Sequence, residues 1–211
     1  MSDSVIPSAV KNPIHLKAFN DSPLPEVIYF DTSFVFACLV KNIKYNAECL
    51  KFIERLAKVQ PIIVMSQLVR SELFNAILNL KMRDRFKGRV FVDQEIRKDP
   101  TLIDQFYPDI TRIDQDFVDL MQRFTYWSLE PVTQDIIDKS LTLIKTYRLK
   151  SNDAIHIASM VSLDIKDIAV FDWAIEDISD INVWTHEGLK RYKDRHKEWE
   201  KIGKRKIVNN G

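Results

Sequence analysis

The chain has 211 residues, 45% hydrophobic and 29% charged, with a net charge of +1. That balance excludes a disordered or fibrous chain and suits one ordinary globular domain or a domain carrying an elaboration. Four glycines, eight prolines and no repeat period likewise exclude collagen-like and solenoid architectures. No apolar run approaches the roughly 18 to 20 residues of a membrane helix, and the first 20 residues lack a charged start followed by an apolar core. A soluble, cytoplasmic protein with no membrane partner is therefore expected. Cys38 and Cys49, without metal-type partner spacing, read as buried packing residues of a reducing compartment.

In chain order, residues 1–26 mix Ser, Pro and Asn with isolated apolar residues and read as an N-terminal arm. The domain proper is expected over 27–189. Val27–Phe30 is a short unbroken apolar run, the pattern of a strand buried on both faces, and it stops at Asp31. Similar runs recur at Ile62–Met65, Ile168–Phe171 and Ile181–Trp184, with a weaker edge candidate at Leu129–Val132, where Pro131 removes a donor. Between them the period becomes helical: Tyr45–Leu56, Val69–Leu80 and Ile136–Tyr147 each carry an apolar stripe. This alternation predicts a parallel sheet covered on both faces, with functional groups at the carboxyl edges of its strands. Residues 82–127 are long for a connection and contain a stripe from Ile110 to Phe124, which predicts an inserted helical segment. Residues 190–211 carry nine Lys/Arg against three acids, a basic tail that is either a phosphate-binding arm or a solvated end.

Asp31 follows the first apolar run directly, with Thr32 and Ser33 placed to cap the next helix, and Asp172 follows Phe171 in the same way. Glu72 borders the Val69–Leu73–Ala76 stripe, at the boundary of core and solvent. Asp153 opens a helix running through His156, where an acid is favourable whatever its function. Taken singly, each is explained as a cap, a surface acid or a helix-start acid. If all four converge, their repulsion raises their pKa values and destabilises the fold unless a cation is present. Oxygen donors without a His or Cys cluster favour Mg²⁺ or Mn²⁺, and water attack on a phosphodiester is the chemistry such a site supports. His156 reads first as a satisfied structural histidine.

Asp31-Thr32-Ser33 after a strand, Ser71-Glu72-Leu73 in a helix, Asn152-Asp153-Ala154-Ile155-His156-Ile157-Ala158, and Val170-Phe171-Asp172 after another strand resemble the acidic motifs of PIN-domain ribonucleases of the VapC-like toxin type. The resemblance spans about residues 27–185 in the family's order. It implies an α/β fold, a three-layer α/β/α sandwich with a central parallel sheet, and a Mg²⁺- or Mn²⁺-dependent endoribonuclease acting on RNA. It also implies a protein antitoxin as partner and a homodimer. By position, Asp31, Glu72, Asp153 and Asp172 are the implied catalytic and metal-holding acids, with Ser33 and Asn152 as supporting polar neighbours. Val170 stands where the fourth motif commonly has Thr or Ser, and Ile175 where a further acid is often found, which leaves Asp177 as an alternative fourth acid. The rival reading is a catalytically weak or inactive PIN-like module that binds RNA or serves assembly. A phosphatase using Asp31 as nucleophile is disfavoured, because Ser33 stands where a second Asp is expected.

Overall fold

The structure, a computed structural model, describes residues 15–88, 91–171, 175, 178, 180–187, 194 and 197. Six strands form one sheet: β1 (Leu16–Ala18), β2 (Val27–Phe30), β3 (Ile62–Ser66), β4 (Trp127–Glu130), β5 (Asp167–Ala169) and β6 (Asn182–Thr185). They lie in the order β1-β6-β5-β2-β3-β4, and every pairing is parallel. The helices are α1 (Thr32–Leu39), α2 (Asn46–Val59), α3 (Leu68–Phe86), α4 (Val92–Lys98), α5 (Thr101–Met121), α6 (Gln134–Tyr147) and α7 (Ser151–Ser162).

Strand periodicity sorts the apolar residues between two cores. Ile28 and Phe30 of β2 join Ile63 and Met65 of β3 in a core closed by α1, α2, α3 and the end of α5. Tyr29 and Val64, between them in sequence, face the other way onto Ala154, Ile157 and Met160 of α7, with Ile144 of α6 packed alongside. Helices thus cover both faces, giving the three layers expected from strands with no polar side. Cys38 and Cys49 are buried, unbridged residues of the first core.

Within the arm expected over 1–26, Leu16–Ala18 form the edge strand β1 of the sheet. β1 pairs with β6, and Arg55 of α2 donates to the carbonyls of Phe19 and Asp21. The weak edge strand lies at Trp127–Glu130 rather than Leu129–Val132, so Pro131 falls just past the last ladder position. The inserted segment does not begin at residue 82, which lies inside α3. The second half of α5 belongs to the main core through Phe117, Leu120 and Met121. Among the described residues, Leu78 and Met82 of α3, Leu102 at the start of α5 and the residues packed on them form a separate small cluster. Ion pairs Arg70–Asp114 at 2.5 Å and Lys81–Asp109 at 2.9 Å tie α3 to α5 beside it. The basic tail lies outside the described residues except for Asp194 and Lys197.

Candidate active site

Asp31 stands at the carboxyl end of β2 and is the N-cap of α1. Its Oδ2 accepts from the Ser33 amide at 2.8 Å and the Ser33 hydroxyl at 2.5 Å. The cap is therefore the acid itself, not Thr32 or Ser33. Those two hydroxyls are used differently. Thr32 Oγ1 donates to Glu72 Oε2, joining α1 to α3. Ser33 Oγ accepts from the Phe171 amide at 2.9 Å, so the chain leaving β5 is fastened two residues from Asp31.

Glu72, on the second turn of α3, is reached by a third element, α7. Asn152 Nδ2 donates to its Oε1 at 2.6 Å, and His156 Nε2 lies 2.9 Å from its Oε2. The same His156 Nε2 is 3.7 Å from Asp31 Oδ1. Asp31 and Glu72, 41 positions apart in sequence, thus meet around one buried imidazole. Asp153 lies one turn before His156 on α7 and contributes to its electrostatic environment. Among the acids singled out from sequence, Asp31, Glu72 and Asp153 are brought to one edge of the sheet, with Ser33 and Asn152 bonded to the first two. Asp172 and Asp177 lie outside the described residues.

How His156 is held is not legible from its own stretch of sequence. It is 1% exposed, and its Nδ1 lies 2.9 Å from the Tyr29 hydroxyl, with Ser66 Oγ at 3.4 Å. An ionised Glu72 only accepts, so Nε2 must carry the proton. In the neutral ring Nδ1 then accepts from Tyr29 O–H. The Tyr29 oxygen in turn accepts from the Ser66 amide at 3.0 Å. The chain Ser66–Tyr29–His156–Glu72 runs from β3 through β2 and α7 to α3. The period-2 spacing of Tyr29 and Asp31 was its one visible signal.

Burial opposes charge on His156, but the hydrogen bond to Glu72 and the charges of Asp31, Glu72 and Asp153 prevail and raise its proton affinity. Burial likewise opposes charge on Glu72, yet the His156 bond and charge, with Thr32 and Asn152, bring its pKa below the ordinary carboxylate value. For Glu72 the repulsion expected from clustered acids is therefore offset by an imidazole. Tyr29 is pushed up strongly by burial, so its hydroxyl stays protonated. The three acids are hard oxygen donors of the type Mg²⁺ and Mn²⁺ prefer. Among the described residues, however, no group of three or more His, Cys, Asp or Glu side chains is already arranged around a metal position. Glu72 is turned toward its three protein donors.

The model of the PIN domain family matches residues 28–181. Among solved structures, the chain is similar to Mycobacterium tuberculosis VapC20, described as a sarcin-ricin loop cleaving toxin, at 16% identity and a TM-score of 0.43, covering 69% of this chain and 89% of that one. It is also similar to VapBC2 from Rickettsia felis, bound to a DNA fragment from its promoter, at 11% identity and a TM-score of 0.47, covering 74% of this chain and 96% of that one. No curated protein matches the sequence significantly. No helix among the described residues is long and apolar enough to cross a membrane. Because the family match runs from β2 to the residue before β6 and takes in Asp31, Glu72 and Asp153, the chain belongs to the PIN domain family, a membership that supports a nuclease.

Proposed function

We propose that this protein is an endoribonuclease that hydrolyses RNA phosphodiester bonds with the help of Mg²⁺ or Mn²⁺. The observation that carries the proposal is the meeting of Asp31 and Glu72 on one imidazole nitrogen, with Asp153 a turn away on the helix that supplies it. Asp31, Glu72 and Asp153 would hold the ion, with Asp172, or else Asp177, as the fourth acid. Asp172 is favoured because it directly follows Phe171, whose amide is fastened to Ser33. When bound, the ion supplies an activated water and stabilises charge developing on the phosphate.

The chain's own groups prepare that site. Ser33 fixes Asp31 Oδ2 through backbone and hydroxyl, leaving Oδ1 toward His156. Thr32, Asn152 and His156 keep Glu72 ionised and oriented. No protein nucleophile is needed. The motifs shared with VapC-like toxins extend the proposal to a toxin neutralised by a protein antitoxin and acting as a homodimer in the cytoplasm. The basic residues 190–211 would add RNA affinity rather than chemistry.

The test is a purified Asp31→Asn protein assayed on single-stranded RNA in Mg²⁺ and in Mn²⁺. Cleavage is expected to fall by at least about 100-fold with the fold intact, since one carboxylate of the ion's shell is lost. Cleavage at the wild-type rate refutes the assignment. One observation favours a second reading, a PIN fold that binds RNA without turnover: the Glu72 carboxylate already receives three protein hydrogen bonds. Salt-sensitive RNA binding with no metal-stimulated cleavage by the wild type would establish that reading instead.

A further inference from the structure

A cleft of about 350 Å³ opens beside the acids, lined by Ser33, Ala37, Ile43, Lys44, Tyr45 and Phe171. Ser33 belongs to both places, since the hydroxyl that donates to Asp31 is carried by a residue of the cleft wall. A phosphodiester set against Asp31 would have its adjoining nucleoside within reach of the cleft. The wall there is aromatic. The Tyr45 and Phe171 rings are 9° from parallel with centroids 5.5 Å apart, and His186 stacks on Tyr45 at 3.5 Å. Lys44, the one charged residue among the described residues lining the cleft, holds its Nζ 4.6 Å from the Tyr45 ring centroid.

Tyr45 is kept in place against its backbone preference. Its φ of 73° lies in the left-handed region, which bulky residues seldom occupy and which persists where the surroundings impose it. The imposing contacts are the stacked rings and the neighbouring Asn46 side chain, which donates to the carbonyls of Ala37 and Cys38. An aromatic wall, one cation and a shared edge with a phosphate-directed site match the needs of an unpaired base and its flanking phosphate.

We propose that this cleft receives the nucleobase adjoining the scissile phosphate of single-stranded RNA, with Tyr45 and Phe171 as its stacking surface and Lys44 contacting the flanking phosphate. This rests on the endoribonuclease reading and adds to it a preference for unpaired RNA with tolerance of base identity, because every base presents a π-face.

The test compares a fluorescein-labelled single-stranded 12-mer RNA with the same oligomer lacking every base, so that no shift of register can seat an intact base in the cleft. Binding is measured by anisotropy with Ca²⁺ in place of Mg²⁺, and cleavage is measured in Mg²⁺. Removing the bases is expected to weaken wild-type binding about 5- to 150-fold or more and to raise KM by a similar factor with little change in kcat. Tyr45→Ala should weaken binding of the intact RNA and narrow its advantage over the abasic oligomer, while Tyr45→Phe retains the wild-type advantage. The comparison on the wild type needs no variant to fold. Cleavage with equal binding of the two oligomers overturns the cleft and leaves the nuclease standing. Base-sensitive, Tyr45-dependent binding without any cleavage overturns the nuclease and leaves the cleft standing.

Discussion

Replacing Tyr29 by Phe removes one oxygen atom from the centre of the sheet and keeps the ring in its apolar surroundings. The lost hydroxyl is the acceptor of the Ser66 amide at 3.0 Å and the partner of His156 Nδ1 at 2.9 Å, in a place where Tyr29 and Ser66 are fully buried. Water cannot replace it without opening the core. A buried donor left without its acceptor costs about 1–3 kcal/mol. The loss at His156 is smaller, because Ser66 Oγ remains 3.4 Å from Nδ1. Tyr29→Phe should therefore destabilise the protein by about 2 kcal/mol, or about 4–8 °C in Tm for a chain of this size. Urea unfolding followed by circular dichroism measures it, with an unchanged m-value as the sign that compactness is retained. A Tyr29→Phe protein within about 0.5 kcal/mol of wild type would show that the hydroxyl does not tie the strands to α7 as described.

Two further outcomes follow from the packing and the charges. His156 has a raised proton affinity in the folded state, so its contribution is full below its ordinary value of 6.5 and is lost as pH rises through the folded one. Glu72 has a lowered pKa, so its contribution is present above its ordinary 4.5 and is lost as pH falls through the folded value. The stability advantage of wild type over His156→Gln should accordingly be largest between those two ordinary values and shrink on the alkaline side; a constant difference from about pH 5 to about pH 9 contradicts the charge pairing. Met82→Ala, in the small cluster shared by α3, α4 and α5, should cost about 2–4 kcal/mol locally. Hydrogen exchange should then quicken in α4 and early α5 while β2 and β3 stay protected, and uniform acceleration would mean that the cluster is continuous with the main core.

The strands that line the two cores were readable because each is an uninterrupted apolar run ended by a polar residue, as Val27–Phe30 is by Asp31. β1 was not readable. Its three residues include Lys17, and only pairing with β6 makes them a strand. The inserted segment was visible as a helical period, but periodicity cannot say which core a stripe joins, and α5 divides itself between two. At the candidate site, Asp31 and Asp153 were marked by strand end and helix start. Glu72 carried no mark beyond its place beside a stripe, because its partners Thr32, Asn152 and His156 come from 40, 80 and 84 positions away. Hydroxyl and imidazole contacts of that range leave no periodic trace, and for the same reason His156 read as structural when it is both buried and bonded to a candidate acid.

β2 is flanked by β5 and β3 and shielded by helical layers on either side, and it supplies both Tyr29 and, immediately after its end, Asp31. A catalytic centre borne on flexible loops can soften and fall silent while the rest of a molecule survives. The candidate acid Asp31 instead follows directly on a central, doubly covered strand, the kind of segment whose amides are expected to open last. Loss of the proposed activity on heating and collapse of the sheet should thus be a single event, with the working range extending to the edge of the folding range.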